Sequence, residues 1–191
     1  MKHSIEAADL LPPEEYAKQR SALRRMLIER KKKRRVEVGP YATFYFECFD
    51  TMRAQIQEML YIEGGGDAQL ADELAAYNPL VPQGGELVAT LMFEIEDPDR
   101  RARELMRLGG IENQIFMRIG NEDILAQAES DRTNEEGKTS SVHFLHFSLN
   151  NAQVKAFRQT NISVMLGFRH ACYGHMAIIP DEVRKELQSD L

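Results

Sequence analysis

Histidine side chains gather in the last third of the chain, which holds four of its five histidines. Within six residues lie His170, Cys172 and His175, at the end of a predicted strand. Alternation along a strand places the first two on one face, and an intervening glycine allows a turn that brings His175 back toward them. Imidazole and thiolate groups are ligands for zinc, iron and haem iron. The cluster therefore suggests a metal or haem site, with His143 or Glu47 as a further ligand.

A structural role for these histidines is the alternative, because their spacing matches no established metal motif. Partly buried histidines hydrogen-bond to the backbone, and Cys172 would then be a small core residue. His143 and His146 are three positions apart in a predicted strand and point to opposite faces. They cannot share one metal unless that strand is irregular.

Polar side chains of a predicted helix over residues 50–61 offer a second candidate site. Gln57 and Glu58, together with His143, are residue types that acid–base catalysis can use, but the sequence does not show how they are placed relative to one another. The chain has no dinucleotide or phosphate-loop motif, no Gly-x-Ser-x-Gly and no Cys-x-x-Cys. These absences count against nucleotide-dependent, hydrolase and iron–sulfur functions. A small-molecule enzyme stays open as an alternative.

Positive charge is concentrated near the start of the chain, whose net charge is −6. Residues 1–38 carry 11 basic and 6 acidic residues, whereas residues 39–191 carry 13 and 24. A continuous basic run consists of Arg30, Lys31, Lys32, Lys33, Arg34 and Arg35. It lies at the end of a predicted helix over residues 14–30, where cations complement the helix dipole. We expect a solvated helix end, contact with an acidic partner, or a homodimer.

Nucleic acid is an unlikely ligand for this run. No aromatic residue interleaves it, although single-strand binders stack bases on aromatic rings. The acidic remainder of the chain would also repel a polyanion beyond the local patch.

Strand and helix patterns alternate along the chain and predict a single α+β domain. Predicted strands cover residues 43–49, 86–95, 142–149 and 163–169, and a hairpin is expected around Gly120. Short connections favour a mixed or mostly antiparallel sheet with flanking helices. We therefore predict an N-terminal basic helical arm over residues 1–38 and an α+β domain over residues 39–191.

The compartment is predicted from what the composition excludes. No apolar run approaches the roughly 20 residues of a membrane span. The first residues lack the apolar segment of a secretory signal. Two cysteines do not make a disulfide framework. These features together predict a cytoplasmic protein.

Several segments resemble an uncharacterised bacterial family of similar length, over residues 10–184. The segments that carry the resemblance are residues 34–36, 39–40, 55–60, 76–82, 89–92 and 138–145, with His170 and Tyr173. Family genes are often encoded beside rubrerythrin and an iron–sulfur oxidoreductase that resembles heterodisulfide reductase or glycolate oxidase subunits. The resemblance therefore implies a redox context and redox partners, and it supplies no catalytic residue.

Two positions depart from the family pattern, which tends to have arginine in place of His146 and a small residue in place of Cys172. The candidate metal ligands then reduce to His143, His170 and His175, with iron, haem or zinc as the candidate cofactors. Gln57, Glu58, His143 and His170 remain the candidate pocket. The sequence thus favours a non-catalytic partner of a rubrerythrin-like or iron–sulfur redox protein, with a metal- or haem-binding domain and a small-molecule enzyme as alternatives.

Overall fold

Six α-helices and nine strands make up the computed structural model, which describes residues 2–191. The helices are α1 (Pro13–Lys32), α2 (Phe49–Glu63), α3 (Gly66–Tyr77), α4 (Pro98–Arg107), α5 (Asn151–Arg158) and α6 (Asp181–Leu187). The strands are β1 (Arg35–Val38), β2 (Ala42–Phe46), β3 (Glu86–Phe93), β4 (Ile115–Ile119), β5 (Glu122–Leu125), β6 (Gln127–Ala128), β7 (Val142–Ser148), β8 (Val164–Phe168) and β9 (Met176–Ile178). The predicted α+β class is confirmed.

Two antiparallel sheets pack face to face. The five-stranded sheet has the order β1-β2-β3-β7-β6, and the four-stranded sheet has the order β5-β4-β8-β9. Their inner faces share one core, to which β3 contributes Leu91 and β8 contributes Leu166. Phe157 of α5 and Leu187 of α6 join the same core. A single mixed or mostly antiparallel sheet was the expectation; the pairing is antiparallel throughout, but the strands are divided between two sheets.

A helix layer formed by α1, α2 and α3 lies on the outer side of the five-stranded sheet. Met52 and Ile56 of α2 pack on Val88 of β3 and Phe144 of β7 in a second apolar cluster. Val88 alternates with inward-facing neighbours along β3, so its side chain leaves the sheet on the face opposite the main core. The sheet therefore separates two apolar clusters.

Local sequence signals determine where several helices begin and end. Asp97 caps α4 by accepting a hydrogen bond from the Arg100 amide, and Asn150 caps α5 in the same manner. Gly64 ends α2 in the left-handed conformation that glycine adopts without strain. Helix α2 begins at Phe49, one residue before the predicted start at residue 50, and Cys48 is its N-cap.

The boundary predicted at residue 38 does not coincide with the end of the arm. Helix α1 ends at Lys32, and β1 forms an edge of the five-stranded sheet. Val36 and Val38 are buried while their neighbours are exposed, which is the two-residue period of a strand. Within residues 2–38, the segment before β1 therefore lies outside the sheets, whereas residues 35–38 belong to one of them.

Every helix within residues 2–191 is too short or too polar to span a lipid bilayer.

Candidate functional site

His143 is fully buried on the inner face of β7, opposite Leu91 of β3. Its Nε2 atom donates to the Ser140 carbonyl oxygen at 3.0 Å and lies 3.2 Å from Thr139 Oγ1. The Nδ1 atom is buried and has no hydrogen-bond partner among the described residues. Burial lowers the pKa of this imidazole, because charging it would require desolvation. The sandwich of the two sheets therefore buries a neutral histidine.

The buried carboxylate of Glu112 lies close to His143 and accepts hydrogen bonds from the loop over residues 129–141. Glu112 accepts hydrogen bonds from Thr133 Oγ1 at 2.9 Å and from Thr139 Oγ1 at 3.4 Å. It also accepts from the Arg132 amide at 3.3 Å. These hydrogen bonds explain why a loop of polar residues packs against the rest of the fold. They place Glu112 in a structural network with no open access from solvent.

His170 organises the turn that follows β8. Its Nδ1 atom accepts from the Cys172 amide at 3.2 Å, so Nε2 carries the proton and donates to the Gly109 carbonyl at 3.3 Å. The next aromatic residue, Tyr173, is buried, and its hydroxyl donates to the Val38 carbonyl at 2.8 Å. That hydroxyl also accepts from the Ala42 amide at 3.1 Å. The turn therefore joins the four-stranded sheet to the β1–β2 connection.

The structure does not bring the candidate metal ligands together. The ring of Phe93 lies 5.9 Å from that of His143 and 6.1 Å from that of Tyr173, and the Tyr173 ring in turn lies 4.6 Å from that of His175. Cys172 is exposed. Within residues 2–191, no three histidine, cysteine or acidic side chains are placed to share a metal ion. The zinc, iron or haem hypothesis on His143, His170 and His175 stays a prediction without support from this geometry.

Gln57 and Glu58 join α2 to the N-terminal segment. Gln57 accepts from the Leu11 amide at 2.7 Å and donates to the Leu11 carbonyl at 3.0 Å. Glu58 forms an ion pair with Arg20 and accepts from the Tyr16 hydroxyl at 2.7 Å. Arg20 and Tyr16 together lower the pKa of Glu58 to about 2. Burial and the bond to Glu58 raise the pKa of Tyr16 to about 12.

The four residues of the candidate pocket lie in different places. Gln57 and Glu58 are on the helix layer, outside the five-stranded sheet, whereas His143 faces the core inside that sheet. Glu47, the other suggested ligand, bonds to Thr90 Oγ1 at 2.7 Å on the outer face. The sheet therefore separates the helix residues from the histidines, and no shared pocket forms.

A groove of about 900 Å³ lies between α1 and α2. Its apolar lining includes Leu23, Met26, Leu27 and Ala54. Charged side chains around it are Arg24, Arg25, Arg30, Arg53, Asp9, Glu29, Asp50 and Glu58. Of all residues of α1, only Tyr16 is buried, and Met26 is 69% exposed. We call this feature the docking groove, because it combines uncovered apolar side chains with fixed charges.

The basic run divides into two parts with different roles. Arg34 is buried, its Nε atom donates to the Phe46 carbonyl at 3.0 Å, and it forms an ion pair with Asp190. Arg30 lies 3.2 Å from Asp50 at the start of α2. Lys31 and Lys33 form no ion pair within residues 2–191 and are free to meet a partner. The expected solvated helix end therefore holds for the exposed Lys32 and Lys33 and is wrong for the buried Arg34.

Sequence reasoning missed the buried polar residues Glu112, Thr139 and Arg34 as structural elements. The one available signal was the alternation of Arg34, Val36 and Val38, which share a face when residues 34–38 are extended. Nothing in the local sequence distinguishes Glu112 from the many exposed acids of the chain.

Comparisons with known proteins agree with this description. The family model for a protein of unknown function, DUF3501, matches residues 4–191. The chain is 38% identical to a crystallised novel protein of unknown function from Burkholderia pseudomallei K96243, with a TM-score of 0.90. That match covers 98% of this chain and 99% of the other. A search of curated proteins finds no match. Because the family model matches residues 4–191, the chain belongs to the DUF3501 family.

Proposed function

We propose that the protein is a non-catalytic accessory protein of a cytoplasmic redox system and that its docking groove binds the partner. The partner would be a rubrerythrin-like protein or an iron–sulfur oxidoreductase of the heterodisulfide reductase or glycolate oxidase type. The gene neighbourhood that the family resemblance implies supports this class of partner. A helix or loop with an apolar stripe and acidic flanks would fit the groove.

The exposure of α1 is the observation that carries the proposal. Met26 is 69% exposed and Ile28 is 52% exposed, on a helix in which only Tyr16 is buried. Arg30 at one end and Tyr16 at the other hold α1 against α2. Between them the helix leaves the docking groove uncovered. Large apolar side chains that remain exposed beside a groove are typical of a protein–protein contact.

Charge favours an acidic partner. Arg25, Lys31 and Lys33 form no ion pair within the described chain, so they are available to steer an acidic surface toward α1. Electrostatic steering of this kind raises the association rate and weakens with added salt. The geometry offers no comparable support for catalysis, since the acid–base candidates are engaged in structural hydrogen bonds on opposite sides of a sheet.

The test is a binding measurement with purified candidate partners at low and high salt. Met26→Asp places a charge in the apolar part of the docking groove and should weaken the complex by about tenfold or more. Met106→Asp on α4 is the matched control, because Met106 is also exposed but lies away from the groove. Absence of a complex with either partner class at low salt would overturn the proposal, as would equal losses for the two variants.

A further inference from the structure

Helix α2 lies between α1 and α3 and contacts them with different faces. Glu58 bonds to Tyr16 of α1, whereas the next residue, Met59, accepts a hydrogen bond from Gln69 of α3 through its carbonyl at 3.3 Å. Gln55 also lies 3.4 Å from the Tyr77 hydroxyl at the end of α3. The helix layer therefore has α1 along one side and α3 along the other.

The two sides of the helix layer carry opposite charge. Helix α1 holds seven basic and three acidic residues, a net charge of +4. Helix α3 holds three acidic residues and no basic one, a net charge of −3. Asp67 and Asp72 form no ion pair within residues 2–191, nor does Arg25 of α1. The layer thus carries a net positive charge on one side and a net negative charge on the other.

Exposed apolar side chains lie on the same layer. Four of the large apolar side chains that the described fold leaves exposed belong to α1 and α2, namely Met26, Ile28, Tyr61 and Ile62. Ile28 has Arg25 and Lys32 as neighbours on one face of α1, at spacings of three and four residues. On α3, Asp72 is flanked by exposed alanines, whose small side chains permit close approach.

We propose that a second copy of this chain covers the outer face of the helix layer. A two-fold axis parallel to the helices turns the layer over and exchanges its sides, so that α1 of each copy faces α3 of the other. Both contacts then join opposite charges, and the exposed apolar side chains near α2 meet at the centre. An isologous dimer requires a surface that is complementary to itself, and a layer with one basic and one acidic side meets this requirement.

The dimer does not rest on the proposed redox partner, because it is tested with this protein alone. It does cover the docking groove, so a partner that binds there has to displace the second copy. Failure of the dimer leaves the partner proposal standing, and failure to find a partner leaves the dimer standing.

The experiment compares two charge-reversed variants by sedimentation velocity at low salt. Variant one is Arg25→Glu with Lys32→Glu on α1, and variant two is Asp72→Lys with Glu73→Lys on α3. Each alone places like charges at the substituted positions of both contacts and should weaken self-association by about tenfold or more. An equimolar mixture should form the heterodimer, because both of its contacts again join opposite charges.

A matched control reverses two exposed cations elsewhere, Arg103→Glu and Lys155→Glu, and should dimerise like the wild type. Circular dichroism verifies that each variant is folded. A wild type that is monomeric at all concentrations overturns the proposal. So does a dimer that survives in either variant, or a mixture that fails to associate.

Discussion

Arg34 joins two ends of the chain that are 156 residues apart in sequence. Its guanidinium donates to the Phe46 carbonyl and the Glu47 carbonyl, each at 3.0 Å, and forms an ion pair with Asp190. Both members of the pair are buried. Because a buried charge is costly without its partner, the C-terminal residues depend on this contact.

Replacement of Arg34 tests that dependence. Arg34→Met should lower the free energy of unfolding by about 3–5 kcal/mol, because Asp190 is left buried without a cation. The double variant Arg34→Met, Asp190→Leu should recover part of the loss, since it removes both charges together. Urea denaturation measures both values. A loss below about 1 kcal/mol for the single variant would contradict this dependence.

At the residue scale, the sequence predicts which face of a strand a side chain occupies, but it does not predict which distant residue that side chain contacts. Cys48, near the end of the predicted strand over residues 43–49, is buried. His143 and His146 were expected to face opposite sides, and only His143 is fully buried. These expectations follow from the local period of a strand. The Asp190 partner of Arg34 could not be predicted, because nothing near position 34 indicates which distant acid reaches it.

At the scale of elements, Glu58 is the main polar link between α1 and α2. It binds Arg20 and Tyr16, and the Arg20 guanidinium also stacks on the Tyr61 ring, 5.0 Å from its centroid. Arg20 in particular lowers the pKa of Glu58 to about 2 from an ordinary value of 4.5. Since the folded state binds this proton more weakly than the unfolded state, the link stabilises the helix pair at pH above 4.5.

Acid should therefore loosen α1 from α2. As the pH falls from 4.5 toward about 2, protonation of Glu58 weakens its bond to Arg20 and the stabilisation is lost. NMR shifts of the Tyr16 ring report the contact directly. Glu58→Gln should remove this pH dependence, whereas Glu14→Gln, on the exposed start of α1, should preserve it. An unchanged profile in Glu58→Gln would contradict the assignment.

Elements with strong local signals were predictable, and those defined by distant pairing were not. The hairpin around Gly120 is confirmed by the pairing of β4 with β5, and the strands predicted over residues 86–95 and 142–149 are confirmed as β3 and β7. By contrast, β1 and β9 are short strands whose pairing partners, β2 and β8, define them. The basic run indicated a helix end where β1 begins, because cations are also typical of a helix end.

At the scale of the whole molecule, the fold separates a closed sandwich from an open helix layer. The histidines identified in the sequence lie in or against the sandwich and take structural contacts. The uncovered apolar side chains of α1 and the polarised charge lie on the helix layer. The charge polarity was predictable from the sequence. The docking groove was not, because it depends on how α1 packs on α2 through residues distant in sequence, such as Tyr16 with Glu58 and Arg30 with Asp50.

Hydrogen–deuterium exchange with a bound partner tests the central claim most directly. Addition of a rubrerythrin-like or iron–sulfur redox protein should protect the amides of α1 and α2, while the four-stranded sheet is unchanged. The same protection should be absent in Met26→Asp. Protection confined to the sandwich, or no protection by any such partner at low salt, would contradict the account of the protein as a docking partner that binds through its helix layer.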